Sequence, residues 1–139
     1  MKRIMFALLA AVALAVAVAA PVSAASQHQS FNLEKDCTDF FTGGNTCVVT
    51  ASPDAAIPAG STIAYNGPVF NATVLSMEVV IEAPDGTATG HCTWPLRVRA
   101  VGTCTFARGT GSLSGFHANV SVSPGSSPMA FAWDGSYQL

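Results

Sequence analysis

The sequence predicts an all-β fold, an antiparallel barrel of about eight strands with a β-sandwich as the alternative, and three observations carry that expectation. Past Ala25, helix formers thin out while Val, Thr, Phe, Ser and Gly dominate. Turn residues recur roughly every ten positions. Several segments alternate apolar and polar residues with the period of a half-buried strand. A closed barrel and a sandwich both limit exposed strand edges, which is why these two architectures are retained.

The N-terminal residues have a different character. Lys2-Arg3, the apolar run from Ile4 to Ala20 and the small-residue stop Val22-Ser23-Ala24 form the pattern of a secretory signal peptide. The expected organisation is therefore signal peptide 1–24, flexible lead-in 25–36 and a single β-barrel domain 37–139. An uncleaved anchor competes, because the apolar run approaches the roughly 20 residues that span a bilayer; the Pro21 break and the Val-Ser-Ala end favour removal. After Ala24 no segment is long and apolar enough for a second span, so no membrane span is expected in the mature chain. Secretion, to a periplasmic or extracellular compartment, makes disulfides permissible.

The mature charge excludes some partners. Without Lys2 and Arg3, four basic side chains (Lys35, Arg97, Arg99, Arg108) face eight carboxylates, so the whole-chain net charge of -2 becomes -4. So few cations cannot neutralise a run of phosphates, which argues against nucleic acid and anionic membrane.

Along the chain, residues 26–36 read as a polar lead-in with Phe31 and Leu33 at the edge of a first strand. Thr46 to Thr50 is a strand ended by Ser52-Pro53-Asp54, and Ser61 to Tyr65 a short strand closed by Asn66-Gly67-Pro68. In the apolar stretch from Val69 to Ala83, Leu75, Met77, Val79 and Ile81 share one face while Phe70, Ala72 and Val74 keep the opposite phase. A β-bulge near Val74-Leu75 is the expected cause. Pro84-Asp85-Gly86 turns the chain. Ala88, Gly90, Cys92 and Trp94 then alternate with Thr89, His91 and Thr93, and Pro95 ends hydrogen-bond continuity there. Gly102 to Arg108, Leu113 to Ser123 and Met129 to Tyr137 complete the set, the last two joined by Pro124-Gly125-Ser126-Ser127-Pro128. Placing Val120 opposite Phe131 puts every large apolar residue of that hairpin on one face. No helix is expected.

Four cysteines allow three pairings. Cys37 with Cys47 and Cys92 with Cys104 is the expected set, because each pair closes a hairpin-like segment. A structural zinc site needs closely spaced pairs, which these are not.

The chemistry-bearing motifs favour structural roles. Gly109-Thr110-Gly111-Ser112-Leu113-Ser114-Gly115 has neither phosphate-loop spacing nor a following helix, so its glycines are assigned to a sharp bend between strands. A nucleophile elbow would need serine where Leu113 stands. His91 and His117 fall on the polar faces of strands, and no third ligand accompanies them, so no catalytic residue, no metal site and no cofactor is assigned. Asn71-Ala72-Thr73 and Asn119-Val120-Ser121 fit the glycosylation pattern; after what reads as a bacterial export signal they are expected to be unused. Trp94, Phe116, Phe131 and Trp133 are the candidate lining of a ligand cavity, since a barrel of about eight strands just holds one small molecule.

The segment from Gly102 to Val122, with its Gly109-Thr110-Gly111-Ser112-Leu113-Ser114-Gly115 turn, and the closing Phe131-Ala132-Trp133-Asp134-Gly135-Ser136-Tyr137 resemble the C-terminal half of small secreted bacterial proteins of uncharacterised function. The turn is also distantly similar to the G-T-G-x-[FL]-x-G motif of the allene oxide cyclase and dirigent-like barrels. That resemblance covers about a third of the mature chain and implies an eight-stranded antiparallel barrel. Cyclases are isomerases and dirigent proteins guide radical coupling, but none of their catalytic positions has a match here. The sequence therefore points to binding of a small apolar ligand or a partner protein. Two other classes stay open: an isomerase or lyase with Glu78 or Asp134 as its acid, and a surface or adhesive structural protein.

Overall fold

Inward and outward side chains alternate along eight successive segments, and the sheet they build closes on itself. The computed structural model describes residues 27–97 and 101–139; the expected signal peptide lies outside the described residues. Strands β1 (Gln29–Asp36), β2 (Thr46–Ala51), β3 (Thr62–Phe70), β4 (Val74–Ala83), β5 (Gly86–Pro95), β6 (Gly102–Gly109), β7 (His117–Pro124) and β8 (Ala130–Gln138) pair antiparallel in chain order. β8 returns to β1 along the full register from Gln29↔Tyr137 to Asp36↔Ala130. The result is the expected closed antiparallel barrel, which leaves no open sheet edge.

Several details differ from the sequence expectation. The lead-in is shorter than 25–36, because Gln29–Asp36 is the strand that closes the barrel. Its polar residues Asn32 and Glu34 point outward, while Phe31 and Leu33 point in and are buried. The phase switch near Val74 is a hairpin rather than a bulge: the Asn71 side-chain oxygen accepts from the N–H groups of Thr73 (2.9 Å) and Val74 (2.7 Å), an Asx turn between β3 and β4. The register shift sits instead between Asn66 and Val69, inside β3, so Asn66-Gly67-Pro68 does not end that strand.

Helix is also present, in two single turns: α1 (Thr38–Phe41) and a 3-10 turn (Gly111–Leu113). The second occupies the glycine-rich motif, so β7 begins at His117 rather than Leu113. Gly111 takes φ +58°, and a Cβ there would lie 2.0 Å from the Asp85 carbonyl oxygen, which is why this bend requires glycine. Finally, Val120 lies opposite Gly135 and Val122 opposite Trp133. The shift from the expected pairing is even, so the faces are unchanged.

The interior divides along the barrel axis. Towards the end where β2, β4 and β6 finish, Phe31, Phe106, Phe116 and Tyr137 interlock with Trp133, at ring-centroid distances from 5.4 to 6.2 Å. Most of these pairs are edge-to-face or tilted, each worth about 0.5–1.5 kcal/mol beyond area burial. Ile57 and Leu113, both fully buried, close that end. The other end, where β1, β3, β5 and β7 finish, is not filled in this way.

Candidate functional site

Alternation along β1 carries an unusual consequence. Phe31, Leu33 and Lys35 occupy successive inward positions, so the third places a lysine inside the barrel. Lysine is almost never fully buried without a partner, yet Lys35 is 1% exposed. It is also the only lysine after Lys2. Its Nζ donates to the Tyr65 hydroxyl from β3 and sits over two aromatic rings, 4.1 Å from the Trp133 centroid and 4.6 Å from that of Tyr65. Among the described residues no carboxylate pairs with it.

Burial therefore pushes the Lys35 ammonium well below the ordinary lysine range. The Tyr65 phenol is pushed above its ordinary value by the same desolvation. Against this the Trp133 ring face attracts the cation, by an amount that reaches about 2 kcal/mol in desolvated settings. The indole N–H of Trp133 is also buried, and it has no acceptor among the described residues.

Above Lys35 lies a cavity of about 320 Å³ with an almost wholly apolar wall. That is near the lower bound for small-molecule sites and about twice the apolar cavity that accepts benzene. Leu75 and Met77 enter from β4, Trp94 from β5, Val122 from β7 and Phe131 from β8. Both cystines also face it. Cys37–Cys47 and Cys92–Cys104 are the expected bridges, and the second joins directly opposite residues of β5 and β6. Their sulfur atoms thus staple the barrel and form part of the cavity wall.

The mouth is built by α1. Cys37 is tied to β2 through its bridge and, through its N–H, to the Met129 carbonyl (2.8 Å). The Asp39 carboxylate accepts from the Thr46 hydroxyl (2.5 Å) and N–H (3.2 Å), bonds that lower its pKa. So anchored, the turn lays Phe40 edge-on to Tyr65 (5.4 Å) and stacks Phe41 on Phe131 (5.8 Å). Trp94 meets Phe131 edge-on at 5.9 Å. Val69, Phe70, Leu96, Val101 and Met129 are large apolar residues left exposed, and topology puts all of them at this same end.

The four aromatic residues singled out from sequence separate by position. Trp94 and Phe131 line the cavity. Trp133 lies beneath it, under the Lys35 ammonium, and Phe116 belongs to the closed end, where it packs on Phe31 and Phe106. Glu78, His91, His117 and Asp134 stand exposed on the outer face. Ser76 and His91 share a hydrogen bond there (2.7 Å), on the open side of the sheet. Among the described residues no group of three potential metal ligands converges.

Lys35 escapes the sequence reading because residues 25–36 read there as a lead-in, whereas Gln29–Asp36 is a strand. The signal that finds it is Phe31-Leu33-Lys35-Cys37, four residues in one phase leading into a cysteine.

Fold and site together define a disulfide-stapled, up-and-down β-barrel with one packed end and one apolar cavity floored by a lysine. No protein-family model, curated protein or solved structure matches this chain. Among the described residues no helix is long and apolar enough to cross a membrane.

Proposed function

We propose that this is a secreted, non-catalytic barrel that binds one small apolar ligand in the cavity above Lys35. The carrying observation is the asymmetry of the interior: aromatic rings interlock at one end, while the other leaves about 320 Å³ walled by apolar groups and both cystines. A core evolved only for stability packs to near crystalline density, so a cavity of this size argues for an occupant. Export is supported by the N-terminal pattern and by the two bridges, which persist in oxidising compartments. Glu78 and Asp134, the acids that an isomerase or lyase would need in the cavity, stand on the outer face instead. That placement favours binding over catalysis.

The test is titration of the oxidised protein with straight-chain alcohols of six to twelve carbons, read by tryptophan fluorescence, since Trp94 is part of the wall. Saturable binding is expected, strongest near ten carbons and abolished by Val122→Trp, which fills the space. Absence of saturation across the series would refute the reading.

A further inference from the structure

Hydrocarbon alone does not use the floor of this cavity. Lys35 Nζ carries three donors, of which the Tyr65 hydroxyl takes one, and the buried Trp133 indole N–H, on the ring beneath it, has no acceptor. Buried donors without acceptors are costly, and a lone buried cation more so, unless something supplies the opposite charge. Among the described residues the cavity wall contributes no carboxylate. The complement to such a floor is an acceptor bearing negative charge, arriving with the ligand.

The geometry also limits that charge. A single cation balances a single anion, and the rest of the wall is apolar, so a dianionic phosphate ester or a dicarboxylate would leave one charge buried and unpaired. Size sets the remainder. An apolar cavity of 150 Å³ accepts benzene, so about 320 Å³ takes roughly a dozen non-hydrogen atoms.

We propose, building on the cavity being a ligand site, that its ligand is an apolar monocarboxylate whose carboxylate pairs with Lys35 while its hydrocarbon body fills the space between Leu75, Trp94, Val122 and Phe131. The carboxylate accepts from Lys35 Nζ, which keeps its bond to Tyr65. The body points towards the mouth at Phe41, where the exposed Val69, Phe70, Leu96 and Met129 give an apolar approach. An aliphatic and an aromatic acid share this chemistry, and the test separates them.

The oxidised protein is titrated with decanoate and 1-decanol, and in parallel with 2-naphthoate and 2-naphthalenemethanol, again read by tryptophan fluorescence. At least one carboxylate is expected to bind about ten- to a hundredfold more tightly than its alcohol, the ratio typical of one charge-assisted hydrogen bond. The pair that shows the preference identifies the body as aliphatic or aromatic. Lys35→Met is expected to erase the preference, so that acid and alcohol bind within about threefold of each other. Comparing acid with alcohol on the unmodified protein needs no variant, so the test stands even where Lys35→Met folds poorly.

Equal binding of acid and alcohol would overturn the monocarboxylate while leaving the apolar site in place. Binding of none of the four would remove the site itself. A borohydride-reduced adduct of decanal on Lys35, formed with no carboxylate preference, would overturn the proposal in favour of a carbonyl ligand held as an imine.

Discussion

Lys35 should make the protein less stable than it could be, and the size of the effect follows from its surroundings. Removing the buried amine and its hydroxyl partner together, as Lys35→Met with Tyr65→Phe, replaces a polar pair by apolar groups of similar volume. Such replacements are commonly stabilising by about 1–4 kcal/mol. Lost attraction between the ammonium and the Trp133 ring takes back up to about 2 kcal/mol. Taking the middle of each range, a net gain of about 1.5 kcal/mol is expected for the double variant, or roughly 6 °C in Tm for a domain of this size. Lys35→Met alone should fall about 1–3 kcal/mol below the double variant, because it leaves the Tyr65 hydroxyl without its partner. The pH profile gives an independent reading. Burial lowers the Lys35 pKa in the folded state, whereas the unfolded chain holds its proton up to about pH 10.4. Between those values the unfolded state binds more protons, so wild-type stability rises with pH through that window. Above about pH 10 the sign reverses, since Tyr65 keeps in the fold a proton that the unfolded chain releases. Denaturant unfolding of the oxidised protein and its variants at pH 7, 8, 9, 9.5 and 10.5 measures the variant effect and both limbs of the profile. A wild-type profile parallel to that of the Lys35→Met variant, or a double variant less stable than wild type, would refute the reasoning.

Two further outcomes concern the scaffold. Replacing Cys92 and Cys104 by serine opens a loop of 12 residues and should lower stability by roughly 3 kcal/mol in guanidinium unfolding, and the Cys37–Cys47 pair, 10 residues apart, by a similar amount. Only the second should also loosen α1, seen as faster cleavage by a protease near Phe41. Gly135→Ala would set a Cβ 2.0 Å from the Asn119 carbonyl oxygen and 2.8 Å from the Val120 Cα, so it should cost about 1–3 kcal/mol by forcing β7 and β8 apart. Gly60→Ala, with open space but φ +92°, should cost only about 1 kcal/mol, measured by the same unfolding curves.

The barrel was readable because period-2 alternation needs no knowledge of neighbours. Ala88-Gly90-Cys92-Trp94 and Ala118-Val120-Val122 show their inward faces in the bare sequence, and the structure buries or half-buries each of these residues. Both bridges were readable for a related reason, since each pair flanks a local turn. What local pattern could not supply was the partner of each strand. An Asx turn at Asn71 and a bulge near Val74 leave the same phase switch in the sequence, and only the pairing of β3 with β4 separates them. The last hairpin likewise slid by an even step without changing its faces. The site was half legible: Trp94 and Phe131 belong to the wall, but Phe116 and Trp133, equally aromatic and equally inward, lie elsewhere along the axis. Inward alternation fixes the face of a residue and says nothing about its height in the barrel.

Height is also what gives Lys35 its meaning. At the closed end the same lysine would displace the aromatic cluster around Phe31. At the rim it would reach water by extending its chain. Set at the level of Trp133 and Tyr65 it does neither: the indole turns a face to its ammonium and the phenol offers its hydroxyl. These two partners leave its remaining hydrogens free for an oxygen that enters from above. A packing defect would be expected to collapse or to contain only apolar atoms. Here the one basic group of the interior stands at the base of its one large apolar space among the described residues, backed by aromatic faces and unmatched by any acid. Arrangement by chance would have to explain the cavity and the lysine separately; a carboxylate-bearing apolar ligand accounts for both.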